Sequence, residues 1–217
     1  MNRSSMETPY DRIARDWNNL RTDFRPGEKA IFDQILSSLP PKSRVLDLGC
    51  GTGRPIAKMF LDAGHRVLGI DESVSLLKLA KQRLGADGAE WRYGDLVEFE
   101  FSDPEVGDFE VAICWDALFF LKREVHRRVL ENLHRALRPD GWMAVTSGGS
   151  ANPPFTDTMF GVEFSYDSFP PDEMRALVSG VGFEIVKADW LELPAGGREK
   201  GRYVILARKR AGGGAVT

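Results

Sequence analysis

Two aspartates and a run of glycines carry the first chemical information in this chain. In VLDLGCGTGRP, residues 45–55, Asp47 closes an apolar strand-like run, and Gly49, Gly51 and Gly53 follow at alternate positions. A strand, a glycine turn and a helix N-terminus together make a ligand site, because glycine lets backbone approach closely while free N–H groups face the ligand. The dinucleotide fingerprint G-x-G-x-x-G, begun at Gly49 or Gly51, would need glycine where the chain has Arg54 or Ile56. The nicotinamide register is therefore absent. Asp47, two residues ahead of the first glycine, opposes a pyrophosphate and suits a cation, so the expected ligand carries an ammonium. The next apolar run, HRVLGID, ends in Asp71. That acid is expected at the exposed carboxyl edge of the sheet, where it can accept hydrogen bonds from both hydroxyls of a ribose.

Taken in order, VLDLGCGTG, GID, YGDL (93–96) and LRPDGWMAV (137–145) resemble the successive motifs of class I S-adenosylmethionine-dependent methyltransferases. The resemblance covers roughly residues 44–147. It implies S-adenosyl-L-methionine as cofactor and S-adenosyl-L-homocysteine as product. Gly49, Cys50, Gly51 and Gly53 would then lie under the methionine moiety, with Asp47 near its ammonium, and Asp71 would accept from the ribose. Glu72 and Ser73 would flank the nucleoside, Asp95 would bond the adenine amine, and Leu96 would lie beside the ring. Tyr10, Trp17 and Arg21 have the chemistry to close over cofactor and substrate from an N-terminal lid, although Tyr10 fits core packing as well.

The acceptor is expected beyond the end of the strand AICW, since ligands of open α/β sheets sit past the carboxyl ends of strands. That puts Trp115, Asp116 and Phe119 at the transferred methyl, with core packing as the other account of Trp115 and Phe119. Methyl transfer from a sulfonium is an in-line displacement that asks mainly for alignment and dryness, with no metal. Where a base is needed, Asp116, Tyr166 and Glu163 are the candidates. Asp116 fits equally well as a helix cap or as an orienter of the substrate. His65, His126 and His134 are expected at the surface. Phe155, Met159, Phe160, Phe164 and Tyr166 suggest a partly apolar, planar substrate, with Phe155 and Tyr166 joining Trp17, Trp115 and Phe119 as substrate contacts. The tetrapeptide Asn152–Phe155 literally matches the (N/D)PP(Y/F) box of some amino methyltransferases. It follows the fifth strand rather than the fourth, so it reads instead as part of a substrate mouth.

The elements that must position these residues alternate. Helical spacing of Tyr10, Ile13, Ala14, Trp17 and Leu20, then of Ala30, Ile31, Ile35, Leu36 and Leu39, predicts two helices before the glycine turn. Strands follow at 44–48, 66–70, 90–93, 109–115 and 142–147, and helices at 55–63, 74–84 and 123–137, with a turn at 138–141. A helix at 171–181 then precedes strands at 183–190 and 202–207. This alternation predicts a Rossmann-like α/β fold, a seven-stranded mostly parallel sheet with helices on both faces and an N-terminal helical lid. One domain spans 1–217: residues 1–40 as lid, 41–147 as cofactor-binding core, and 148–210 as substrate loop and C-terminal strands. The stretch 148–161 is expected to be an active-site loop, 196–201 a hairpin connection, and AGGGAVT at the end disordered.

Bulk properties narrow the class. At 217 residues, 42% apolar and 28% charged, the chain is expected to be globular. It has no apolar run of about 18 residues and no secretory leader, so a cytoplasmic protein is expected. Cys50 and Cys114 make no zinc or disulfide spacing. A net charge of −3 gives no general attraction to nucleic acid, and the basic run from Lys122 to Arg138 reads as a solvated helix face. The function expected is methyl transfer to an O or N atom of a small metabolite by a monomer or homodimer. A methyltransferase acting on protein or RNA, and a silent cofactor-binding protein, stand as alternatives.

Overall fold

A computed structural model of the chain describes residues 7–99, 107–150, 153–195 and 200–210. Helices α1 (Pro9–Leu20) and α2 (Glu28–Leu36) lead into the alternating part: β1 (Arg44–Leu48), α3 (Ile56–Asp62), β2 (Arg66–Asp71), α4 (Val74–Leu84), β3 (Ala89–Tyr93), β4 (Phe109–Cys114), α5 (Arg123–Ala136) and β5 (Leu137–Ser147). A hairpin of β6 (Phe155–Met159) and β7 (Val162–Tyr166) follows, then α6 (Pro171–Val181), β8 (Phe183–Ala195) and β9 (Lys200–Lys209).

The large sheet runs β3-β2-β1-β4-β5-β9-β8. β9 is antiparallel to both of its neighbours, and the other pairs are parallel, so β9 runs against the rest. Side-chain alternation divides the core. Leu46 and Leu48 pack with Val129, Leu133, Met174 and Val178 of α5 and α6. Val45 packs on the opposite face with Ile31, Phe32, Ile35, Phe60 and Leu77 of α2, α3 and α4. The chain order reverses between β1 and β4, and ligands of such sheets bind beyond the strand ends at that crevice.

Four expectations change. Residues 155–166 form a hairpin rather than a loop, with β6 and β7 in register from Phe155–Tyr166 to Met159–Val162. Phe160 and Gly161 at its tip both have positive φ, 51° and 75°, the geometry of a tight two-residue hairpin turn. The FTDTM and VEFSY runs do alternate, but Phe-Gly lacks the Asn or Asp that usually marks such a turn. The turn chemistry at 138–141 is taken up as an irregularity inside β5: Phe109 faces Leu137 and Val111 faces Trp142. Of the histidines, His65 and His126 are buried. His65 Nδ1 accepts from the Ser43 amide at 3.1 Å, and His126 Nε2 lies 3.1 Å from the Leu121 carbonyl. Burial depresses the pKa of both imidazoles. Asp71, finally, is 7% exposed, so it sits in a buried pocket and not on an open edge.

Both cysteines are free, buried thiols, and burial pushes Cys114 up to about 12. No helix among the described residues is long and apolar enough to cross a membrane, and none of these residues group as a His/Cys/Asp/Glu metal site. Asn152, the 196–199 connection and the terminal AGGGAVT lie outside the described residues.

Candidate active site

Beyond the ends of β1, β2 and β4 lies a cleft of about 760 Å³. Its floor is the glycine turn. Gly49 and Cys50 donate their amides to the Ile70 carbonyl at 2.7 and 3.0 Å, and the Gly51 amide donates to Asp71 Oδ2 at 2.8 Å. The turn is therefore stapled to β2. Glycine is required at its two ends: a β-carbon on Gly49 would sit 2.7 Å from that of Ala117, and one on Gly53 2.6 Å from the Trp91 ring, both at positive φ.

Two acids face this cleft. Asp71 takes a second hydrogen bond from the Ser73 amide at 2.8 Å, yet burial still raises its carboxyl to about 6. Asp47 is raised to about 7, by burial first and then by the charge of Asp71, with Arg21 opposing. Two buried acids, both raised by burial, suit a ligand bringing positive charge and hydroxyl donors. The cleft also holds an unmet donor. Arg54 lines it, and Arg54 Nε is buried without a hydrogen-bond partner among the described residues. An ammonium beside Asp47, a carboxylate beside Arg54 and hydroxyls at Asp71 are the polar groups of S-adenosylmethionine, so the residues present fit it.

The other expected cofactor contacts divide. Tyr10, Asp47, Gly49, Cys50, Gly51, Gly53, Asp71, Glu72, Leu96 and Trp115 line the cleft, joined by Trp17 and Arg21. Ser73 does not. Its Oγ accepts from the Leu76 amide as the N-cap of α4 and donates to Asp11 Oδ1 at 2.7 Å. Asp95 is exposed and outside the lining, with Oδ1 accepting from the Val97 and Glu98 amides. Trp115 lines the cleft, its ring packs against Phe32 with centroids 4.8 Å apart, and Nε1 donates to Glu28 Oε1 at 3.1 Å.

A second cavity of about 930 Å³ adjoins the first, and Trp17, Asp116 and Phe120 line both. Phe119, Phe155, Met159 and Tyr166 form its apolar wall. The Phe155 and Tyr166 rings are parallel within 11° at 5.3 Å, and Phe119 and Tyr166 within 16° at 6.3 Å. Enclosure raises the Tyr166 phenol, with Asp157 adding to it. Phe164 lies beneath, edge-on to Tyr10 at 5.0 Å, and Phe160 and Glu163 are exposed on the hairpin. Glu163 therefore lies outside the cavity.

Asp116 sits between the cavities, its φ of 53° turning the chain just after β4. Asp and Asn tolerate this left-handed region better than most residues. Its Oδ1 accepts from Arg202 Nε at 2.9 Å and its Oδ2 from Arg202 Nη2 at 3.0 Å, while the Thr146 hydroxyl lies 3.3 Å from Oδ1. Behind it Glu28, fully buried, accepts from Arg21 Nη1 and Nη2 at 2.8 and 3.0 Å, from the Arg25 amide at 2.9 Å, and from Arg202 Nη2. Sequence reasoning missed Glu28, Arg25 and Arg202. A Glu at the start of an amphipathic helix reads as a solvated first-turn acid, and its partners lie on other elements.

Comparison with known proteins agrees with this geometry. A methyltransferase domain family model matches residues 45–141. The chain is 31% identical over 170 residues to YqeM of Bacillus subtilis, covering 71% of this chain and 66% of that one. It spans about half to two thirds of the length of the curated relatives it matches. A solved S-adenosylmethionine-dependent methyltransferase of Methanosarcina mazei superposes with a TM-score of 0.70 at 21% identity, covering 88% of this chain and all of that one. The 1,6-didemethyltoxoflavin N1-methyltransferase of Burkholderia thailandensis, solved with its substrate and S-adenosylhomocysteine, superposes with a TM-score of 0.59 at 21% identity, covering 96% and 93%. Motif order, sheet order and a glycine turn backed by two buried acids converge with these likenesses, and the chain belongs to the class I S-adenosylmethionine-dependent methyltransferases.

Proposed function

We propose that the protein transfers a methyl group from S-adenosylmethionine to an O or N atom of a small metabolite in the cytoplasm. The observation that carries this reading is the shared wall: Trp17, Asp116 and Phe120 border both the cofactor cleft and an aromatic-walled cavity of a size suited to a small molecule. The cofactor supplies an activated sulfonium methyl. The chain's own residues supply alignment and dryness. Asp47, Asp71 and the glycine turn hold one reactant. Phe119, Phe155 and Tyr166 flank the other. Tyr10 closes the cofactor side, its ring edge-on to Trp17, Phe120 and Phe164 at 5.5, 5.5 and 5.0 Å.

Asp116 is the polar group at the junction. Arg202 grips both of its oxygens, which fixes its direction. In this reading Asp116 accepts a hydrogen bond from the acceptor's O–H or N–H and aims the lone pair, and it takes the proton where the acceptor holds one. Calorimetric titration with S-adenosylhomocysteine, with NAD as control, tests the cofactor half. One-to-one binding of the first alone is expected, and binding of NAD alone overturns it. Transfer of an isotopically labelled methyl group to a metabolite panel, compared with protein and RNA pools, tests the acceptor half. Labelling of the macromolecular pools alone would defeat the small-metabolite reading.

A further inference from the structure

Resting on that reading, we propose that the acceptor is a planar aromatic or conjugated ring carrying an anionic substituent, a carboxylate in its simplest form, and that Arg25 recognises the anion. Around the second cavity Arg21, Arg25, Arg123 and Arg202 meet Glu28, Asp116, Asp167 and Glu192, so formal charge balances, but hydrogen bonding does not. Arg202 uses every nitrogen: Nε and Nη2 on Asp116, Nη2 also on Glu28, and Nη1 on Glu192 at 3.0 Å. Arg21 forks onto Glu28 and adds the Asp23 carbonyl at 3.1 Å.

Arg25 differs from both. It lines the acceptor cavity, its side chain is 33% exposed, and its one ion-pair partner among the described residues is Asp116 at 3.7 Å. That separation is too long for a hydrogen bond, and the guanidinium makes none within the described residues. A planar fork of N–H donors therefore stands at the cavity wall with its capacity unspent. Its shape matches a carboxylate held by two parallel hydrogen bonds.

The same cavity has an aromatic wall in the rings of Phe155, Tyr166 and Phe119, stacked nearly parallel on one another, and a further planar ring can extend that stack or pack against its edges. An aromatic wall and an unspent cation in one cavity favour an aromatic acid over a neutral phenol, which leaves the guanidinium unmet. They also disfavour an aliphatic amine, which would bring positive charge toward Arg25 and Arg202.

The test uses matched probes: the three hydroxybenzoates and the three corresponding hydroxybenzamides, each titrated calorimetrically into the full chain saturated with S-adenosylhomocysteine. At least one acid is expected to bind about tenfold or more tighter than its amide, the size of a partly exposed charge-assisted hydrogen bond. Arg25→Gln should bring each pair within about twofold, and Arg25→Lys should keep part of the preference, because the charge remains without the fork. S-adenosylhomocysteine affinity should stay unchanged in both variants, which shows that they fold. Amides binding as well as acids, a preference that survives Arg25→Gln, or no probe binding while S-adenosylhomocysteine binds would each overturn the proposal. Failure of S-adenosylhomocysteine itself to bind would instead defeat the methyltransferase reading, and this inference with it.

Discussion

The two cavities share a wall but are built differently. The cofactor cleft is made of consecutive chain: one strand end, one glycine turn and the next strand's acid, joined by backbone hydrogen bonds from Gly49, Cys50 and Gly51. The acceptor cavity is made of remote pieces: the segment after α1, the end of β4, the β6–β7 hairpin and the start of β9. Buried ion pairs linking Arg21, Glu28, Asp116 and Arg202 hold those pieces together. Backbone geometry therefore fixes where the shared reactant binds, while side-chain networks, which substitution can change without disturbing the sheet, fix what is bound beside it.

The most severe way to break this contrast is Glu28→Ala, which leaves two buried guanidiniums facing each other. Unfolding free energy should fall by about 3–5 kcal/mol, read as a lower melting temperature and urea midpoint. A loss below about 1 kcal/mol would mean that water or rearrangement compensates and that the acceptor wall is not held by this network.

The cofactor side should instead respond to pH. Asp47 and Asp71 titrate near 7 and 6 in the folded protein, well above ordinary carboxylates. A cationic, diol-bearing ligand favours their ionised forms, so S-adenosylmethionine should bind roughly 10–100-fold more weakly at about pH 5 than at about pH 8, with proton release on binding. The sign reverses for the stability of the unliganded chain. There the raised values mean that the folded state holds protons the unfolded state has lost, so this contribution is complete below about pH 4 and disappears as pH rises through 6 and 7. Affinity flat across this range, with no dependence of the calorimetric heat on buffer, would show that neither acid meets the ligand's charge.

Asp71→Asn sharpens the contrast further. The amide can accept from the Gly51 or the Ser73 N–H but cannot accept from both on its two heavy atoms. S-adenosylhomocysteine affinity should fall roughly 10–100-fold with a measurable loss of melting temperature, while acceptor recognition persists at saturating cofactor. The smallest effect is expected from Tyr166→Leu, which removes the middle of three parallel rings, worth about 0.5–1.5 kcal/mol. Acceptor KM should rise with cofactor affinity unchanged. Equal losses in both would place Tyr166 in the cofactor's service as well.

The fold was legible because its signals are local. The short apolar run in VLDL, the glycines after it and the apolar spacing from Val74 to Leu84 each specify one element, and their alternation leaves a parallel sheet as the economical arrangement. The presence of Asp47 and Asp71 at the cleft was legible for the same reason, since both are strand-end positions readable from the strands themselves. Asp71's burial was not. It follows from the glycine turn folding back over β2, which a linear reading does not show. Asp95 and Ser73 likewise occupy the expected places in the chain, but their side chains serve as local caps.

Sequence by itself determined the sheet, the strand-end acids and the register that excludes a dinucleotide, because each depends on neighbours within a few residues. Only tertiary structure decided that Arg202, from the last described stretch of chain, grips Asp116, that Glu28 is buried beneath both, and that Arg25 stands at the cavity wall with no side-chain hydrogen bond among the described residues. Nothing in the order of residues links positions 25, 28, 116 and 202. The low dielectric in which they meet, where an unpaired charge is costly and a paired one is fixed in direction, exists only after the sheet and its lid have closed around them.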